Sequence, residues 1–272
     1  MEFLADIPAL LALVLGLMFL VGGGELLVRG AAALALKANI PPLIVGLTVV
    51  SMGTSAPELF ASVEAALEGH PGLAVGNVLG SNVANLALIL GLTALIRPVT
   101  VDRMALRLDI PLMLGASLLF VAVASDLEMT RTEGLGALML MGLFIASLFR
   151  RAKQQDKPDD AEVADAAGWA SKSVLALLGV ILAGTGGLYF GSEAFVDGAS
   201  RIALHMGVSD HVIGLTVVAF GTSVPELVAS GIAAWRGQSD LAVGNVVGSN
   251  LFNLLLVLGT TATIAPLPMG PE

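Results

Sequence analysis

The stretch GTSAPELF occupies residues 53–60 and the stretch GTSVPELV occupies residues 221–228, and each lies inside an apolar run long enough to cross a membrane. Proline breaks a helix because it lacks a backbone N–H and its ring clashes with the preceding turn. A carboxylate in a membrane interior is costly and usually marks a function. Because the chain places both residues at the same point twice, we expect the two motifs to carry the function of the protein.

The composition is that of a membrane protein. Of the 272 residues, 56% are hydrophobic and only 13% are charged, and the mean hydropathy is +0.89. Soluble domains hold about 25% charged residues, and a membrane-spanning helix needs roughly 20 apolar residues in a row. The sequence therefore predicts an all-α polytopic membrane protein in the lipid bilayer. Eight apolar stretches are predicted to be spans: residues 7–28, 41–67, 73–96, 106–125, 132–150, 172–196, 208–235 and 240–265.

Other classes of protein are excluded by the residue types. The sequence has no cysteine, which excludes disulfide bonds, thiol catalysis and cysteine-ligated zinc. The net charge is −9, its acidic residues are scattered or clustered in loops, and the basic residues form no stripe. We therefore expect no nucleic-acid partner, and the sequence identifies no protein partner.

The distribution of Lys and Arg predicts the orientation in the membrane. With eight spans, the loops on one side receive eleven of the 13 basic residues, and those on the other receive only Arg131 and Arg201. Basic residues are enriched on the cytoplasmic side, so the N-terminus should lie outside. The charged segment 151–170 between the fifth and sixth spans is then a cytoplasmic linker. Short loops and the lack of a targeting segment favour a prokaryotic inner (plasma) membrane.

The two motifs belong to an internal duplication. Residues 46–98 align with residues 214–266 at a constant offset of 168 without gaps, and 34 of the 53 positions are identical. The same offset pairs Glu25 with Glu193, so the repeat begins with the first and sixth spans. Because five spans separate the copies, the second copy enters the membrane from the opposite side. Inverted repeats of this kind are typical of secondary transporters.

The duplication predicts three parts of the chain. Residues 1–150 form the first repeat with spans 1–5, residues 151–170 form the linker, and residues 171–272 form the second, inverted repeat with spans 6–8. Two repeats of five spans would need about 50 residues beyond the eighth span, since each span takes roughly 20. We therefore expect the second repeat to lack its last two spans, by truncation or as a shortened variant.

The first repeated cluster supplies hard oxygen ligands. Thr54 and Glu58 are four residues apart and share a helix face, with Ser55 beside them. Pro57 cannot donate to the carbonyl of Gly53, so the helix should break there and free backbone carbonyls. A carboxylate, two hydroxyls and free carbonyls suit Na⁺ and Ca²⁺ rather than soft metals. The second copy repeats the set as Gly221, Thr222, Ser223, Pro225 and Glu226.

The second repeated cluster is a polar stripe on spans 3 and 8. Asn77, Ser81 and Asn85 follow at intervals of four, and Gly76 and Gly80 permit close helix approach. The set recurs as Asn245, Ser249, Asn253, Gly244 and Gly248. Together the clusters predict a cage with two carboxylates, which would repel each other and take up a proton unless a cation offset them. One Ca²⁺, or two or three Na⁺, would do so, and competition for the cage would couple their movements.

The remaining polar residues favour structural roles. A single intramembrane glutamate could simply bond to a neighbouring helix, but a Gly-Thr-Ser-x-Pro-Glu motif in both copies argues against that explanation. Glu25 can pair with Arg29 one turn away. Glu64 has Ile232 as its counterpart and is expected at the membrane interface. The three histidines fall at loops, where no metal role is expected.

The motifs resemble those of a known family. GTSAPEL and GTSVPEL, together with GNVLGSNVAN and GNVVGSNLFN, look like the two alpha-repeats of the sodium/calcium exchanger family, of prokaryotic type, within the cation/calcium antiporters. The resemblance covers both repeats without gaps. It implies a fold of two inverted five-helix repeats and a secondary antiporter that exchanges Na⁺ for Ca²⁺ by alternating access.

The resemblance also implies roles for individual residues. Glu58 and Glu226 would bind Ca²⁺ directly, and Thr54 and Thr222 would supply backbone carbonyls. Some relatives have aspartate where this chain has Asn253, and asparagine argues against potassium dependence and removes a potential proton carrier. The residues implied for the Na⁺ sites and for the centre of the cage are Ser55, Ser223, Ser81, Ser249, Asn85 and Asn253, with the backbone near Ser51 and Ala219.

Three alternatives to a Na⁺/Ca²⁺ antiporter remain open from the sequence. The same cage could serve an H⁺-coupled calcium or cation antiporter, although the resemblance favours sodium coupling because proton-coupled relatives tend to carry Gly-Asn-x-x-Glu. A cation channel is the second alternative, and the inverted repeats argue against it. A fragment that binds ions without exchanging them is the third. None of these involves covalent chemistry, so neither an enzyme nor a cofactor is expected.

Overall fold

The computed structural model of the protein describes residues 8–152, 167–209 and 219–269, and within these ranges it is almost wholly helical. We number the spans in chain order. Six helices are long and apolar enough to cross a membrane: span 1 (Ala9–Ala38), span 3 (Pro71–Ile96), span 4 (Ala105–Asp126), span 5 (Arg131–Ala152), span 6 (Val174–His205) and span 8 (Ser239–Ile264). The prediction of a polytopic all-α membrane protein is confirmed.

The two remaining spans contain the sequence motifs. Span 2 consists of two helical parts, Pro42–Thr54 and Ala56–Leu67, that meet at an angle of 44°. Of the predicted span 7, residues 210–218 lie outside the described ranges. Its described part contains the short helix Ala219–Gly221 and the helix Val224–Trp235. Both spans are therefore interrupted at the motif, as the proline predicts.

Spans 1 and 6 are longer than predicted. They run for 30 and 32 residues, beyond the apolar stretches that end at residues 28 and 196. Charged residues continue each helix, because ion pairs one turn apart join Glu25 to Arg29 and Asp197 to Arg201 at 2.7 Å. Hydropathy alone places the helix ends too early where such pairs follow the apolar stretch.

Spans 1 and 6 pack against each other through glycines. A Cβ on Gly16 would lie 2.4 Å from the backbone nitrogen of Phe195, and a Cβ on Gly184 would lie 2.5 Å from that of Leu27. Only glycine permits so close an approach at these points. As the contacts move forward along span 1 they move backward along span 6, so the two helices are antiparallel. This direction is the one expected of equivalent helices if the two copies have opposite orientations.

Span 8 lies at the centre of the molecule. In its most apolar stretch 94% of the residues are buried, against 22% in the equivalent stretch of span 3. Span 8 is enclosed by spans 2, 4 and 5, with Met113, Met141 and Phe144 in the same hydrophobic core as Leu251 and Leu255. This arrangement brings the polar stripe of span 8 against span 2.

Short π-helical turns widen the helices beside the motifs. They occur at Gly46–Val50 in span 2, at Asn85–Ile89 in span 3 and at Phe252–Val257 in span 8. The last two are equivalent under the offset of 168. Such turns are rare and often lie at functional sites, and the sequence did not predict them.

Contacts between the ends of the spans agree with the prediction that successive spans cross the membrane in alternating directions. The Lys37 ammonium donates to the Ala170 carbonyl at 3.2 Å, where the end of the linker meets the end of span 1. On the other side, strand β1 (Glu128–Met129) pairs with strand β2 (Leu267–Pro268) in antiparallel fashion. Most of the predicted linker, residues 153–166, lies outside the described ranges.

Candidate cation-binding site

The two helix breaks have the same geometry. Ser55 lies between the two parts of span 2 with φ −86° and ψ 6°, and Ser223 precedes the second part of span 7 with φ −90° and ψ 0°. Glu58 and Glu226 follow in the first turn of the next helical part, and both side chains are completely buried. The matched breaks therefore bring two carboxylates into the interior of the protein.

Hydrogen bonds between the copies hold the Glu226 carboxylate. Its Oε1 atom accepts from the Ser55 hydroxyl at 3.2 Å and from the Ser249 hydroxyl at 3.4 Å. The Thr54 hydroxyl donates to Asn245 Oδ1 at 3.0 Å and lies 3.3 Å from the Ser249 oxygen. Side chains from spans 2 and 8 thus converge on the Glu226 carboxylate of span 7, and Ser55 is its direct partner from the first copy.

Asparagines support the first turn that carries each glutamate. Asn77 Nδ2 donates to Ser62 Oγ at 3.0 Å and to the Glu58 carbonyl at 3.3 Å. Its counterpart Asn245 makes the same pair of bonds, to Ser230 at 2.9 Å and to the Glu226 carbonyl at 3.4 Å. These equivalent bonds fix the backbone beneath both carboxylates.

Several buried oxygens around the breaks have no hydrogen-bond partner within the described part of the chain. An unpaired buried oxygen costs about 1–3 kcal/mol, and a charged one costs more, so a group of them indicates a ligand. All are oxygens of the kind that Na⁺ and Ca²⁺ prefer. They are both carboxylate oxygens of Glu58, Oε2 of Glu226, the hydroxyls of Ser81 and Ser223, and Oδ1 of Asn85 and Asn253.

The charge of the site comes from two residues. They are Glu58 and Glu226, whose side chains are both completely buried. Among the described residues, no three acidic or histidine side chains come together in a way that could hold a metal ion. A cation here would therefore take most of its ligands from hydroxyl, amide and backbone oxygens, as hard cations do in proteins.

The structure brings most of the predicted residues together, with differences at three positions. The Ser51 carbonyl already accepts from the Ser55 N–H at 2.9 Å, and the Ser51 hydroxyl donates to the Thr48 carbonyl at 3.3 Å. Ala219 begins the short helix of span 7, and its side chain lies outside the described part. Thr222 is only half-buried and donates to Asn77 at 3.4 Å.

One backbone carbonyl that was expected to be free is bonded. Pro225 cannot donate to the carbonyl of Gly221, but the Ser192 hydroxyl of span 6 donates to it at 2.5 Å. The expectation of free carbonyls is therefore wrong at this position, because a side chain from a neighbouring helix replaces the missing N–H. Nothing adjacent to Ser192 in the sequence indicates this role.

Sequence reasoning missed further polar residues of the site. Ser62 and Ser230 support the asparagines described above, and Asn82 and Asn250 bond to the site asparagines across the copies. The offset of 168 pairs Ser62 with Ser230 and Asn82 with Asn250. Each of them is a polar residue that is identical in both copies and lies in a membrane-spanning helix. That pattern could have identified them from the sequence.

A cavity lies beside the two helix breaks. It has a volume of about 220 Å³, reaches Thr222 and Pro57, and is lined by Glu64 and Glu193. In the equivalent region of the other copy, Gly24 takes the place of Ser192. There the side chains of Val228 and Ile232 approach so closely that a Cβ on Gly24 would lie 2.9 and 2.8 Å from them.

An ion-pair cluster lies next to Gly24 on span 1. The Glu25 carboxylate bonds to Arg29 at 2.7 Å and to the Arg236 guanidinium, whose Nε lies 3.0 Å from Oε2. The predicted pairing of Glu25 with Arg29 is therefore confirmed, with Arg236 as an additional partner. The counterparts of Arg29 and Arg236 under the offset are Asp197 and Glu68, so the two ends of the molecule differ in charge.

Comparison with known proteins decides the family. The sequence profile of the family described as "Sodium/calcium exchanger protein" matches residues 8–151 and 176–272. The chain belongs to the sodium/calcium exchanger family.

Relatives of this exchanger-family protein cover almost all of it. It is 42% identical over 267 residues to the putative antiporter CaxA of Alkalimonas amylolytica, covering 95% of this chain and 81% of the relative. It is 32% identical to the sodium/calcium exchanger MaX1 of Methanosarcina acetivorans, with 96% and 84% coverage. A solved structure of the sodium-calcium exchanger NCX_Mj superposes with a TM-score of 0.82 at 34% identity, covering 96% of this chain and 84% of that one. These matches confirm the predicted family, and they support a membrane-embedded cation/Ca²⁺ antiporter.

Proposed function

We propose that the protein exchanges Na⁺ for Ca²⁺ by alternating access, with both ions competing for a cage built around Glu58 and Glu226. The observation that carries this proposal is the pair of fully buried glutamates at matched helix breaks, surrounded by oxygens without hydrogen-bond partners in the described structure. Two buried carboxylates without a basic partner need a positive charge beside them. A Ca²⁺ ion, or Na⁺ ions in its place, would supply it.

The difference between the two faces supports alternating access. The cavity reaches Thr222, whereas its counterpart Thr54 is 1% exposed, and in the equivalent region the side chains of Val228 and Ile232 pack closely against Gly24. If the copies are inverted repeats, each copy can adopt the conformation that the other now has. The face that is open to water would then change sides. The cage would then face each side of the membrane in turn.

The proposed orientation assigns the open face to the outside. Glu64 lies near the end of span 2 that leads into the loop at residues 68–70, opposite to the side of the linker. With the N-terminus outside and the linker in the cytoplasm, the cavity opens away from the cytoplasm. We place the protein in a prokaryotic inner (plasma) membrane, moving Ca²⁺ outward as Na⁺ enters.

An H⁺-coupled calcium or cation antiporter is the second candidate. Neither carboxylate oxygen of Glu58 has a hydrogen-bond partner in the described structure, so a proton as well as a metal ion could bind there. Under this alternative, Glu58 and Glu226 would release protons as Ca²⁺ enters the cage. Neither candidate uses covalent chemistry or a cofactor.

A flux measurement separates the candidates. The full chain is reconstituted in liposomes loaded with Na⁺, which are then diluted into Na⁺-free buffer containing radioactive Ca²⁺. Uptake that depends on internal Na⁺ and persists without a pH gradient is expected. Uptake driven only by a pH gradient would support the proton-coupled alternative, and Ca²⁺ entry without any counter-ion gradient would indicate a channel.

A further inference from the structure

Four asparagines bond to one another across the interface between spans 3 and 8. Asn85 Nδ2 donates to Asn250 Oδ1 at 3.0 Å, and Asn253 Nδ2 donates to Asn82 Oδ1 at 3.0 Å. The offset of 168 relates Asn82 to Asn250 and Asn85 to Asn253, so these two bonds are equivalents. In each case, the amide nitrogen of one copy is held by the amide oxygen of the other copy.

The same bonds fix which way two site amides face. An amide side chain has donors on its nitrogen and an acceptor on its oxygen, so holding the nitrogen directs the oxygen away. Asn85 and Asn253 are 1% and 0% exposed, and the Oδ1 atom of each lacks a hydrogen-bond partner in the described structure. Both amides therefore keep one neutral, hard oxygen available for a further ligand.

The orientation of these amides decides whether they attract or repel a cation. With the nitrogens held across the interface, the partial negative charges of Asn85 and Asn253 remain available to the cage. If either amide rotated by half a turn, its N–H donors would take the place of the oxygen and oppose a positive ion. In a buried site this difference is not screened by water.

Asn82 is itself anchored. Its Nδ2 atom donates to the backbone carbonyl of Asn250 at 3.3 Å, which leaves its Oδ1 atom to accept from Asn253. The Nδ2 atom of Asn250 lies 3.5 Å from the Met113 sulfur, which leaves its Oδ1 atom to accept from Asn85. Each supporting amide thus has its donor and acceptor ends assigned by separate contacts.

We propose that Asn82 and Asn250 are positioning residues that orient the amide oxygens of Asn253 and Asn85 toward a bound Na⁺ or Ca²⁺. This inference rests on the proposed function, because it requires the cage to bind those ions. Residues behind a metal ligand that fix its orientation commonly contribute 10–100-fold to metal affinity. The support is reciprocal, because each copy orients the site amide of the other.

The test measures ion binding to the purified full chain in detergent, by calorimetry with Ca²⁺ and then with Na⁺. Asn82→Ala is expected to weaken Ca²⁺ binding about tenfold. In an Asn253→Ala background the same change should have no further effect, because the residue through which Asn82 acts is absent. Val83→Ala, a truncation of the neighbouring lipid-exposed side chain, is the matched control and should leave affinity unchanged.

Two variants with side chains of similar size distinguish the loss of a hydrogen-bond acceptor from a general packing effect. Asn82→Asp keeps an acceptor for Asn253 and should retain Ca²⁺ binding within about threefold, whereas Asn82→Leu removes the acceptor and should lose about tenfold. Equal affinities for these two variants, or additive losses in the Asn82→Ala, Asn253→Ala pair, would overturn the inference. A wild-type chain that binds neither Ca²⁺ nor Na⁺ would overturn the proposed function as well.

Discussion

The Ser55 hydroxyl of the first copy donates to the Glu226 carboxylate of the second, with an Oγ–Oε1 distance of 3.2 Å. The equivalent bond from Ser223 to Glu58 is missing in the described structure, where the Ser223 hydroxyl and both Glu58 oxygens have no partner. The two halves of the proposed cage therefore differ in the state that the structure shows. One carboxylate is partly held by the protein, and the other is available to a cation.

This difference predicts unequal effects for two equivalent serines. Ser223→Ala should leave the melting temperature of the ion-free protein unchanged, because it removes no hydrogen bond present in the described structure. Ser55→Ala should lower it, since a hydrogen bond to a charged group contributes about 1.5–3 kcal/mol and Ser249 replaces only part of it. Thermal unfolding of both variants in Na⁺-free and Ca²⁺-free buffer is the measurement. Equal shifts would contradict the assignment of the two halves.

Loss of either carboxylate should abolish Ca²⁺ transport. Glu58→Gln and Glu226→Gln keep the size of the side chain and remove the charge, so the protein is expected to insert and fold. Ca²⁺ uptake should fall at least about 100-fold, since a buried ion needs its counter-charge. Uptake into proteoliposomes, normalised to the reconstituted protein, is the measurement. Normal exchange by either variant would refute the two-carboxylate site.

Asn253→Asp should make transport depend on pH. The new carboxyl group would face Asn82 Oδ1, an acceptor 3.0 Å from the present nitrogen, and it can donate to that acceptor only when it carries a proton. As the pH rises and the proton is lost, the cage gains a third negative charge. Ca²⁺ uptake should therefore increase from acid to alkaline pH more steeply than in the wild type. An unchanged pH profile would show that position 253 does not face the site.

A buried ion pair away from the cage should matter for stability alone. Arg151 at the end of span 5 bonds to Asp109 of span 4 at 2.6 Å, and the Asp109 side chain is 0% exposed. Arg151→Ala leaves that carboxylate buried and unpaired, which typically costs about 3–5 kcal/mol. The melting temperature in detergent should fall strongly while Ca²⁺ affinity stays the same. The double variant Asp109→Asn, Arg151→Ala should recover part of the loss, and failure to recover any would indicate a packing effect.

The acidic lining of the cavity should affect ions arriving from one side. Glu64→Gln removes a negative charge from the route that leads to Thr222, so the half-saturating concentration of Ca²⁺ on that side should rise about two- to threefold. The effect should shrink at high ionic strength, because exposed charges are screened. Glu68→Gln, a nearby exposed residue that does not line the cavity, is the control. Equal effects from both faces of the membrane would contradict the assigned route.

The residues that the sequence revealed are those whose type conflicts with their surroundings. Glu58 and Glu226 stand out because charge and proline are out of place in an apolar helix, and the repeat removes chance as an explanation. The breaks follow from Pro57 and Pro225 by elementary backbone chemistry. For the same reason, the polar stripe around Asn85 and Asn253 can be recognised from the amino-acid sequence alone.

The residues that the sequence did not reveal act through contacts between distant helices. Ser192 bonds to the Gly221 carbonyl and Arg236 bonds to Glu25, and neither partner is predictable from local spacing. Serine is common in membrane helices, so Ser192 gives no signal of its own. The unequal burial of Thr54 and Thr222 belongs to one conformational state, which two nearly identical motifs cannot specify.

The crossed amide bonds have a consequence for how the protein is made. Asn85 and Glu58 leave the ribosome 168 residues before Asn253 and Glu226, a delay of roughly ten to thirty seconds at ordinary rates of synthesis. During that interval the growing chain holds half of the proposed cage, whose bonding partners do not yet exist. The polar groups of the first half must therefore remain hydrated or covered until the second half arrives. The proposed ion site is complete only after the two copies have assembled.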